Sequence, residues 1–375
     1  MATLVAIDVT PLVGVRTGIG NAVAELLAAF DKLDAAPELV PYALSRRARE
    51  HRDDVPASTR FPAWPATVLL KAWAHSDGPR LDRWLKPASV IHATNYLAPP
   101  SKLPVVVTIN DCSFARYPEL CTPEVRAFLP IVKRAIARGT VVHVPSEFVA
   151  DEVDDLFGPG LAGTGRLVVV PWAVPAVQTT EVAPPPEIAT IVRGGPYVLA
   201  MGALEPRKNL PYLVAAFGTI AAALPDLRLV LAGPDGPARP AIDDAIAALH
   251  DSARARVLVT GGVSDAGRVA LLAHARVLAY PSLYEGFGFP VLEAMSIGVP
   301  VVAARAGSIP EVAGDAATLV GPTDIQALGE ALAALVADDA RRAEQIALGH
   351  DQARRFSWVE TAHGLASLYR RLAES

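Results

Sequence analysis

The sequence has few cysteines, few charged residues and no long apolar run, and each shortage excludes a class of protein. Cys112 and Cys121 are its only cysteines, too few for a disulfide framework, so a reducing cytosol is expected. Charged residues make up 19% against about 25% on average, which excludes a disordered chain. A membrane-spanning helix needs about 20 consecutive apolar residues, and the apolar runs here stop after a few. The hydrophobic fraction of 51% therefore predicts a large buried core.

Charge and length narrow the class further. With 34 basic and 39 acidic residues the net charge is −5, which argues against a nucleic-acid-binding protein held by phosphate charge. The apolar start, residues 1–9, lacks a basic region and contains Asp8, so it predicts a strand and not a signal peptide, and a cytoplasmic protein. At about 100–200 residues per domain, 375 residues predict two domains.

A proline-rich stretch between residues 171 and 196 marks the predicted domain boundary. Around it, short β-branched runs alternate with helical patterns, which is typical of parallel sheets covered on both faces. We therefore predict an α/β protein whose two units leave a cleft, with ligands at the carboxyl ends of the strands. The predicted strands are 4–9, 90–92, 105–109, 141–144 and 167–170, then 197–201, 228–232, 257–260, 277–280 and 299–303; predicted helices include 20–30, 211–223 and 325–337.

Segment 280–298 is the richest in residues suited to ligand binding. Gly286 and Gly288 precede a helix that Pro290 is suited to open. Backbone amides and the helix dipole at such a helix start favour an anion, so a phosphate is expected. Glu285 and Glu293 are placed to accept hydrogen bonds from paired hydroxyls of a polyhydroxy ligand. The alternative is an ordinary strand–loop–helix connection with solvated glutamates.

A second segment, 201–210, places two adjacent cations after another predicted strand of the same sheet. Arg207 offers a planar fork and Lys208 a mobile point charge, a pairing suited to a diphosphate. The alternative is a pair of solvated surface cations. Segments 201–210 and 280–298 both follow strands of the same predicted sheet, which argues for the phosphate interpretation.

Glu285 and Glu293 form an E-x7-E pattern, and with it the chain resembles the retaining, nucleotide-sugar-dependent glycosyltransferases of family 4, including mannosyltransferase-like members. Gly202-x4-Arg207-Lys208-Asn209 is similar to that family too. The likeness covers the second half almost throughout. Its further matching segments are 281–282, 286–288, 293–294, 298–300 and 308–312.

The first half resembles the family more loosely, through loop 14–20 and segments 92–95 and 144–148. The loop is no dinucleotide fingerprint, because Val23 occupies its third glycine position. Members of this subgroup often carry His-Asp where this chain has Asn110-Asp111, and asparagine can hydrogen-bond but cannot become cationic. Relatives usually have Asn-Gly-Val where this chain has 172–174, and we predict no chemistry there.

The resemblance implies the GT-B fold, in which two Rossmann-like domains with parallel sheets face a central cleft. It implies an acceptor-binding domain over 1–175, a linker over 176–196, a donor-binding domain over 197–355 and a last helix within 356–375 that crosses back to the first domain.

The resemblance also implies roles for individual residues. Arg207 and Lys208 would bind the diphosphate and stabilise its leaving charge. Glu285 would hold donor-sugar hydroxyls, Glu293 the ribose hydroxyls, and Asp111 would lie by the acceptor. Further donor contacts are implied for Gly18, Gly20, Asn110, Val263, Gly286, Phe287, Gly288 and Phe289, and acceptor contacts for His92 and Asn95. For His92 a satisfied core histidine is the alternative.

The implied reaction moves a hexose, with retention, from a nucleoside-diphosphate sugar, GDP-mannose being favoured, to a hydroxyl of a glycan, glycolipid or lipid-linked acceptor. Fixed cations and a helix N-terminus would stabilise the dianionic leaving group. We therefore predict no metal and no cofactor, consistent with the lack of an Asp-x-Asp pattern in the sequence. Alternatives are a non-catalytic nucleotide-sugar-binding subunit and a GT-B epimerase or phosphorylase. A phosphorylase needs a lysine for pyridoxal phosphate, and the second half has only Lys208.

The acceptor side has one further signal. Trp64, Trp73 and Trp84 lie among basic residues in segment 61–86. A basic–aromatic amphipathic helix favours peripheral contact with an anionic membrane, here the inner face of the plasma membrane, and a lipid-linked acceptor. The alternative is a helix packed on the first domain with snorkelling cations.

Overall fold

The chain folds as two compact units, each built on one sheet. The first combines Met1–Ala173 with Phe356–Ser375, and the second is Val174–Arg355. The computed structural model describes residues 3–14, 16–45, 47–62, 64–174 and 184–375.

The first unit contains a six-stranded parallel sheet with the strand order β2-β1-β3-β4-β5-β6. Strand β2 was not predicted from the sequence. It contains Pro41, whose missing N–H is tolerated because β2 lies at the edge of the sheet. The elements are β1 Leu4–Asp8, α1 Gly18–Phe30, β2 Glu38–Tyr42, α2 Ala66–His75, β3 Val90–Ala93, β4 Val105–Thr108, α3 Ser113–Arg116, α4 Pro123–Arg126, α5 Phe128–Ala137, β5 Val141–Val144, α6 Glu147–Phe157 and β6 Leu167–Val169.

The second unit contains another six-stranded parallel sheet, ordered β12-β11-β10-β7-β8-β9. The elements are α7 Pro186–Arg193, β7 Tyr197–Met201, α8 Leu210–Ile220, β8 Arg228–Ala232, α9 Arg239–Ala247, α10 Asp251–Arg254, β9 Val257–Gly261, α11 Asp265–Ala273, β10 Val277–Tyr280, α12 Phe289–Ser296, β11 Val301–Ala304, α13 Ile309–Ala313, β12 Thr318–Val320, α14 Ile325–Ala337 and α15 Asp339–Ala353.

The last helix, α16 (Trp358–Ala373), belongs to the first unit although it follows the second in the chain. It packs against α1 and β3. Thr361 Oγ1 donates a hydrogen bond to the carbonyl of Pro171 at 2.7 Å, which ties the start of α16 to the chain just after β6.

The central strands of both sheets are buried along their whole length, as a parallel sheet covered on both faces requires. This burial accounts for much of the hydrophobic excess of the sequence. Strands β3, β4 and β5 contribute residues to the core of the first unit, and strands β7, β8 and β10 to the core of the second.

Part of the stretch expected to be an extended linker is a helix. Helix α7, Pro186–Arg193, lies inside the predicted linker 176–196 and buries Ile188. Proline at the first helical position does not break a helix, because the N–H that it lacks would have no helical partner there. The proline count was therefore misleading at this point. Residues 175–183 of the predicted linker lie outside the described residues.

The tryptophan-rich segment is divided between core and surface. Trp73 on α2 is fully buried, and its indole N–H donates to the carbonyl of Pro79 at 3.0 Å. Trp84 packs edge-on against Tyr42 with ring centroids 6.3 Å apart. Trp64, by contrast, is 56% exposed. Two of the three tryptophans therefore belong to the fold of the first unit.

Candidate functional site

The loops after β7 and β10 meet because the two strands are neighbours in a parallel sheet. The loop after β7 forms a short 3-10 helix, Pro206–Lys208, and then turns sharply at Asn209, whose φ is 55°. Asparagine tolerates this left-handed conformation better than most residues. Its side-chain amide donates to the carbonyl of Pro322 at 2.8 Å, which holds the turn in place. Arg207 and Lys208 are thereby brought to the loop that follows β10.

Two cationic side chains converge on one carboxylate oxygen. Glu285 Oε1 lies 2.8 Å from a terminal guanidinium nitrogen of Arg207 and 2.7 Å from Lys208 Nζ. Lys208 Nζ also donates to the Tyr280 hydroxyl at 2.8 Å. Arg207 Nε pairs with Glu205 Oε2 at 2.8 Å. The sequence placed the two cations and Glu285 in separate motifs, and the structure joins them in one cluster.

Burial makes this cluster electrostatically strong. Lys208 and Glu285 are each only 8% exposed. Burial alone would raise the pKa of the Glu285 carboxyl, but the charges of Arg207 and Lys208 outweigh it and lower that pKa to about 2. Burial also lowers the pKa of Lys208, and Glu285 works against that shift. The arrangement holds one anion between two cations, whose charges keep the buried carboxylate ionised.

Glycines hold the loop after β10 in a compact form. Gly288 has φ 94°, and a Cβ there would lie 2.5 Å from Ile309 Cδ1. Gly307 has φ 59°, and a Cβ there would lie 2.4 Å from the carbonyl oxygen of Glu285. That carbonyl accepts hydrogen bonds from the Ser308 amide at 3.0 Å and the Ser308 hydroxyl at 3.1 Å. The backbone of Glu285 is therefore fixed from a third loop.

Helix α12 begins at Phe289, one residue before the proline that was expected to open it. Residues Gly286 and Phe287 are buried in the loop ahead of it, and Phe289 is half-buried at its start. The ring of Phe287 lies edge-on to that of Phe289 with centroids 5.1 Å apart. These residues form the approach to the helix N-terminus that the sequence indicated.

Glu293 lies inside α12 and is held by an arginine that sequence reasoning missed. Arg268, on α11, reaches Glu293 Oε2 at 2.5 Å. Burial raises the pKa of the Glu293 carboxyl, and Arg268 works against that rise. Val263 is half-buried in the loop that leads into α11. Arg268 thus lies between the two predicted donor-binding residues along the chain: Val263 precedes α11, and Glu293 lies in α12.

In the first unit the loops after β3 and β4 are joined by neutral hydrogen bonds. Asn110 Nδ2 donates to Asn95 Oδ1 at 3.3 Å, and Trp172 Nε1 donates to Asn110 Oδ1 at 3.1 Å. Asp111 Oδ1 accepts from the amide of Ser113 at 2.9 Å and from its hydroxyl at 2.7 Å. Asp111 thus helps to start α3. Asn110 and Asn95, for which donor and acceptor contacts were predicted, contact each other.

His92 is a fully buried member of a hydrogen-bonded chain. Its Nδ1 meets the Tyr369 hydroxyl at 2.6 Å and its Nε2 meets Thr108 Oγ1 at 2.8 Å. Thr108 Oγ1 continues to His143 Nδ1 at 2.9 Å, and His143 Nε2 to the Val170 carbonyl at 2.9 Å. Burial lowers the pKa of both imidazoles, that of His143 to about 4. These contacts favour the core alternative for His92 over an acceptor contact.

The two glycines of loop 14–20 differ in their surroundings. Gly18 is exposed at the first position of α1. Gly20 is buried two residues further on, and a Cβ there would lie 2.5 Å from the carbonyl oxygen of Pro11. Close packing of α1 on the chain after β1 therefore explains Gly20 without a ligand. Val15 of this loop lies outside the described residues.

Comparison with known proteins identifies the family. Residues 186–350 match the glycosyl transferases group 1 family, and residues 17–173 match the glycosyl transferase 4-like domain. The O-antigen chain mannosyltransferase B of Escherichia coli is 30% identical over 290 residues, which are 76% of this chain and 74% of that protein. The chain belongs to family 4 of the glycosyltransferases. The resemblance inferred from the E-x7-E pattern, and the enzyme class that it implied, are thereby confirmed.

A second family 4 relative is much longer than this chain. The serotype-specific mannosyltransferase WbdA of Escherichia coli is 31% identical over 180 residues, 48% of this chain but only 22% of that protein. Among solved structures, the sucrose-phosphate synthase of Thermosynechococcus elongatus superposes with a TM-score of 0.72 at 19% identity, over 100% of both chains. That likeness and the two parallel sheets confirm the predicted α/β, GT-B fold.

Sequence reasoning missed the residues that hold the predicted ones. Tyr280 contacts Lys208, Arg268 contacts Glu293, and Trp172 contacts Asn110. Tyr280 and Trp172 had a usable signal, since Tyr280 is the last residue of a predicted strand and Trp172 follows another. Arg268 had none, because an arginine on a helix face is most often a solvated side chain.

The described residues contain neither a membrane-spanning helix nor a cluster of metal ligands. Across the described ranges, no helix combines the length and apolar character needed to cross a membrane. Within the same ranges, no group of three or more His, Cys, Asp and Glu side chains is arranged to hold a metal ion. Metal-independent transfer stays a prediction.

Proposed function

We propose that this family 4 glycosyltransferase moves a hexose, with retention, from GDP-mannose to a hydroxyl of a glycan or lipid-linked acceptor. The observation that carries the proposal is the meeting of Arg207 and Lys208 on a single oxygen of Glu285. The mannosyl donor rests on the relatives, since the two proteins compared above are mannosyltransferases by name.

The charges of the cluster suit a diphosphate that arrives and leaves. A phosphate oxygen offers the two cations the same charge and acceptor geometry as the carboxylate oxygen that they now share. Lys208 keeps its charge in a nearly buried position because Glu285 offsets the cost of burial. When the sugar–phosphate bond breaks, Arg207 and Lys208 stabilise the charge that develops on the leaving group.

The proposed chemistry needs the departing phosphate as its base. The bond from the anomeric carbon to the diphosphate oxygen breaks, and the acceptor oxygen bonds to that carbon from the same face. The acceptor proton passes to the departing phosphate, so the charges and atoms balance without a side-chain nucleophile. Glu285, already paired with two cations, is held as an anion and serves to bind hydroxyls.

A donor panel followed by NMR tests the function. GDP-mannose, GDP-glucose, UDP-glucose and UDP-galactose are each incubated with the full chain, and the anomer of the sugar released by slow hydrolysis is recorded. We expect GDP-mannose to be consumed fastest and to release α-mannose first, as retention requires. Tight binding of nucleotide sugars without any turnover would support the non-catalytic subunit instead.

We also propose peripheral contact with the cytoplasmic face of a membrane, where a lipid-linked acceptor resides. Trp64 and Val68 are 56% and 45% exposed at the start of α2, and exposed large apolar side chains of this kind favour a lipid surface. Co-sedimentation with vesicles of anionic lipid tests this. Trp64→Ser with Val68→Ser should reduce the bound fraction severalfold, and unchanged binding would contradict it.

A further inference from the structure

Two loops of the first unit are joined by a hydrogen bond between residues far apart in the chain. Asn110 and Trp172 are 62 residues apart in the chain, and the indole Nε1 of Trp172 lies 3.1 Å from Asn110 Oδ1. Asn110 follows β4 and Trp172 follows β6, so both lie at carboxyl strand ends, where open α/β sheets bind ligands.

The chemistry of the indole decides which way the Asn110 amide faces. An indole N–H donates and cannot accept, so only the carbonyl oxygen of the amide can face Trp172. The other end of the amide, Nδ2, is thereby turned away from Trp172, and it donates one hydrogen to Asn95 Oδ1 at 3.3 Å. Its second hydrogen has no partner among the residues that the structure describes.

The direction of the Asn95 amide follows in the same way from its hydrogen bond with Asn110. Asn95 uses its oxygen to accept from Asn110, which leaves its own Nδ2 as the outer end of its amide. The indole N–H of Trp172 therefore sets the direction of two amides in turn. Asn110, after β4, and Asn95, after β3, each keep an amide N–H that no member of the chain Trp172–Asn110–Asn95 accepts.

Trp172 itself is held firmly enough to act in this way. It is almost fully buried, its ring stands edge-on to His143 with centroids 4.9 Å apart, and it packs against Trp358 at 5.9 Å. His143 is in turn fixed by Thr108 and by the Val170 carbonyl. The indole therefore has little freedom to turn its N–H elsewhere.

We propose that Trp172 is a positioning residue that fixes Asn110 as a hydrogen-bond donor to an acceptor oxygen of the nucleotide sugar. The inference rests on the proposed function and deepens it. The oxygen belongs either to the hexose or to the diphosphate, which share this acceptor chemistry. Asn110 would thus act as a neutral donor held in a fixed direction.

Kinetics with a matched pair of tryptophan variants tests the proposal. Trp172→Phe keeps a ring beside His143 and removes the N–H, so kcat/KM for GDP-mannose should fall about tenfold. Trp358→Phe is the control, because Trp358 Nε1 is buried without a hydrogen-bond partner in the described part of the chain. It should stay within about twofold of the wild type. A similar loss in both variants, or in neither, would overturn the proposal.

A double variant separates positioning from general support of the fold. In an Asn110→Ala background, Trp172→Phe should cause no further loss of kcat/KM, because its effect passes through Asn110. A tenfold loss that persists in that background would overturn the proposal. If Trp172→Phe does not fold, Asn110→Asp serves instead, since a carboxylate still accepts from Trp172 but cannot donate. Wild-type kcat/KM in Asn110→Asp would be equally damaging.

An NMR measurement without substrate keeps this test apart from that of the proposed function. In ¹⁵N-labelled protein the side-chain amide pair of Asn110 is assigned by its loss in Asn110→Ala. Trp172→Phe should shift that pair and Trp358→Phe should not; an unmoved pair in Trp172→Phe would overturn the proposal. Failure of every donor to react would count against the proposed function alone. Titration with GDP then locates the oxygen: an affinity unchanged in Trp172→Phe places it on the hexose, and a reduced one on the diphosphate.

Discussion

The two units build their strand-end loops from different chemistry. In the second unit the side chains are charged and paired, with Arg207 and Lys208 on Glu285. In the first unit the loops after β4 and β6 are joined by a neutral, directional hydrogen bond from Trp172 to Asn110. Ion pairs exchange partners when a charged ligand arrives, whereas a chain of neutral hydrogen bonds fixes which atoms donate. We therefore expect substitutions in the second unit to act through charge and substitutions in the first to act through hydrogen-bond direction.

Removal of the Lys208 charge tests the charged side of this comparison and should have the largest effect. Lys208→Met keeps most of the side-chain volume and removes the cation, so kcat should fall by about 10³-fold as leaving-group stabilisation is lost. Arg239→Met is the control, since Arg239 pairs only with Asp235 and Asp243 on an exposed surface of the same unit. Near-normal kcat in Lys208→Met would remove the role assigned to it.

Neutralising Glu285 should affect both rate and stability. Glu285→Gln leaves two cations facing an amide, and we expect kcat to fall by about 10²-fold and the free energy of unfolding at pH 7 by about 3 kcal/mol. The folded pKa of about 2 lies below the unfolded value, so the stabilising effect is present above about pH 4.5 and is lost as pH falls toward 2.

Denaturant unfolding of the wild type and Glu285→Gln at several pH values measures this. The difference between the two curves should shrink as pH falls below about 4.5. A difference that stays constant down to pH 3 would show that the Glu285 charge is not what stabilises the second unit.

A substitution of Arg268 tests the part of the second unit that is proposed to bind the nucleoside. Arg268→Gln leaves the half-buried Glu293 carboxyl without its cation, so the pKa of Glu293 should rise further. We expect GDP to bind about tenfold more weakly, and the affinity to fall on acidification at a higher pH than in the wild type. Calorimetry between pH 5.5 and 8 checks this, and an identical pH profile in both proteins would contradict it.

The neutral network of the first unit predicts a smaller, pH-dependent effect. Burial lowers the pKa of His92 and of His143, the latter to about 4, so the unfolded chain binds protons that the folded one does not. Stability should therefore be full above about pH 6.5 and fall as pH drops toward 4. Asp8, whose pKa burial raises to about 6, opposes this below pH 6. We expect a net loss of about 2 kcal/mol between pH 7.5 and 5.5.

Tryptophan fluorescence isolates this effect, because all five tryptophans lie in the first unit. His143→Asn removes one of the two imidazoles while the opposing effect of Asp8 remains, so the loss of stability between pH 7.5 and 5.5 should fall to about a third. The same loss in the variant and the wild type would mean that the buried histidines do not set the acid sensitivity of the first unit.

The sheets could be predicted from the sequence because each central strand is an apolar run of its own. Strands β5, β7, β8 and β10 have the predicted bounds, while β11 begins two residues later than expected, at Val301. The missed strands, β2 and β12, lie at sheet edges, but so do β6 and β9, which were predicted. Strand β2 begins at exposed Glu38 and is interrupted by Pro41, and β12 has only three residues, so neither forms a long apolar run.

The candidate site was predictable only where the residues form a linear motif. Glu285 and Glu293 stand eight apart in one segment, so their pattern is visible in the sequence. The contact between Arg268 and Glu293 and the bond from Trp172 to Asn110 join distant segments through the order of the strands. Such contacts follow from the sheet topology and from side-chain length, which no local pattern records.

The most direct test of the account compares GDP with GMP binding in wild type and Lys208→Met by calorimetry. If the cluster of Arg207, Lys208 and Glu285 binds the diphosphate, the wild type should prefer GDP to GMP by at least about 30-fold. Most of that preference should disappear in Lys208→Met and persist in Arg239→Met. An unchanged preference for GDP in Lys208→Met would contradict the central claim that this cluster is the diphosphate site.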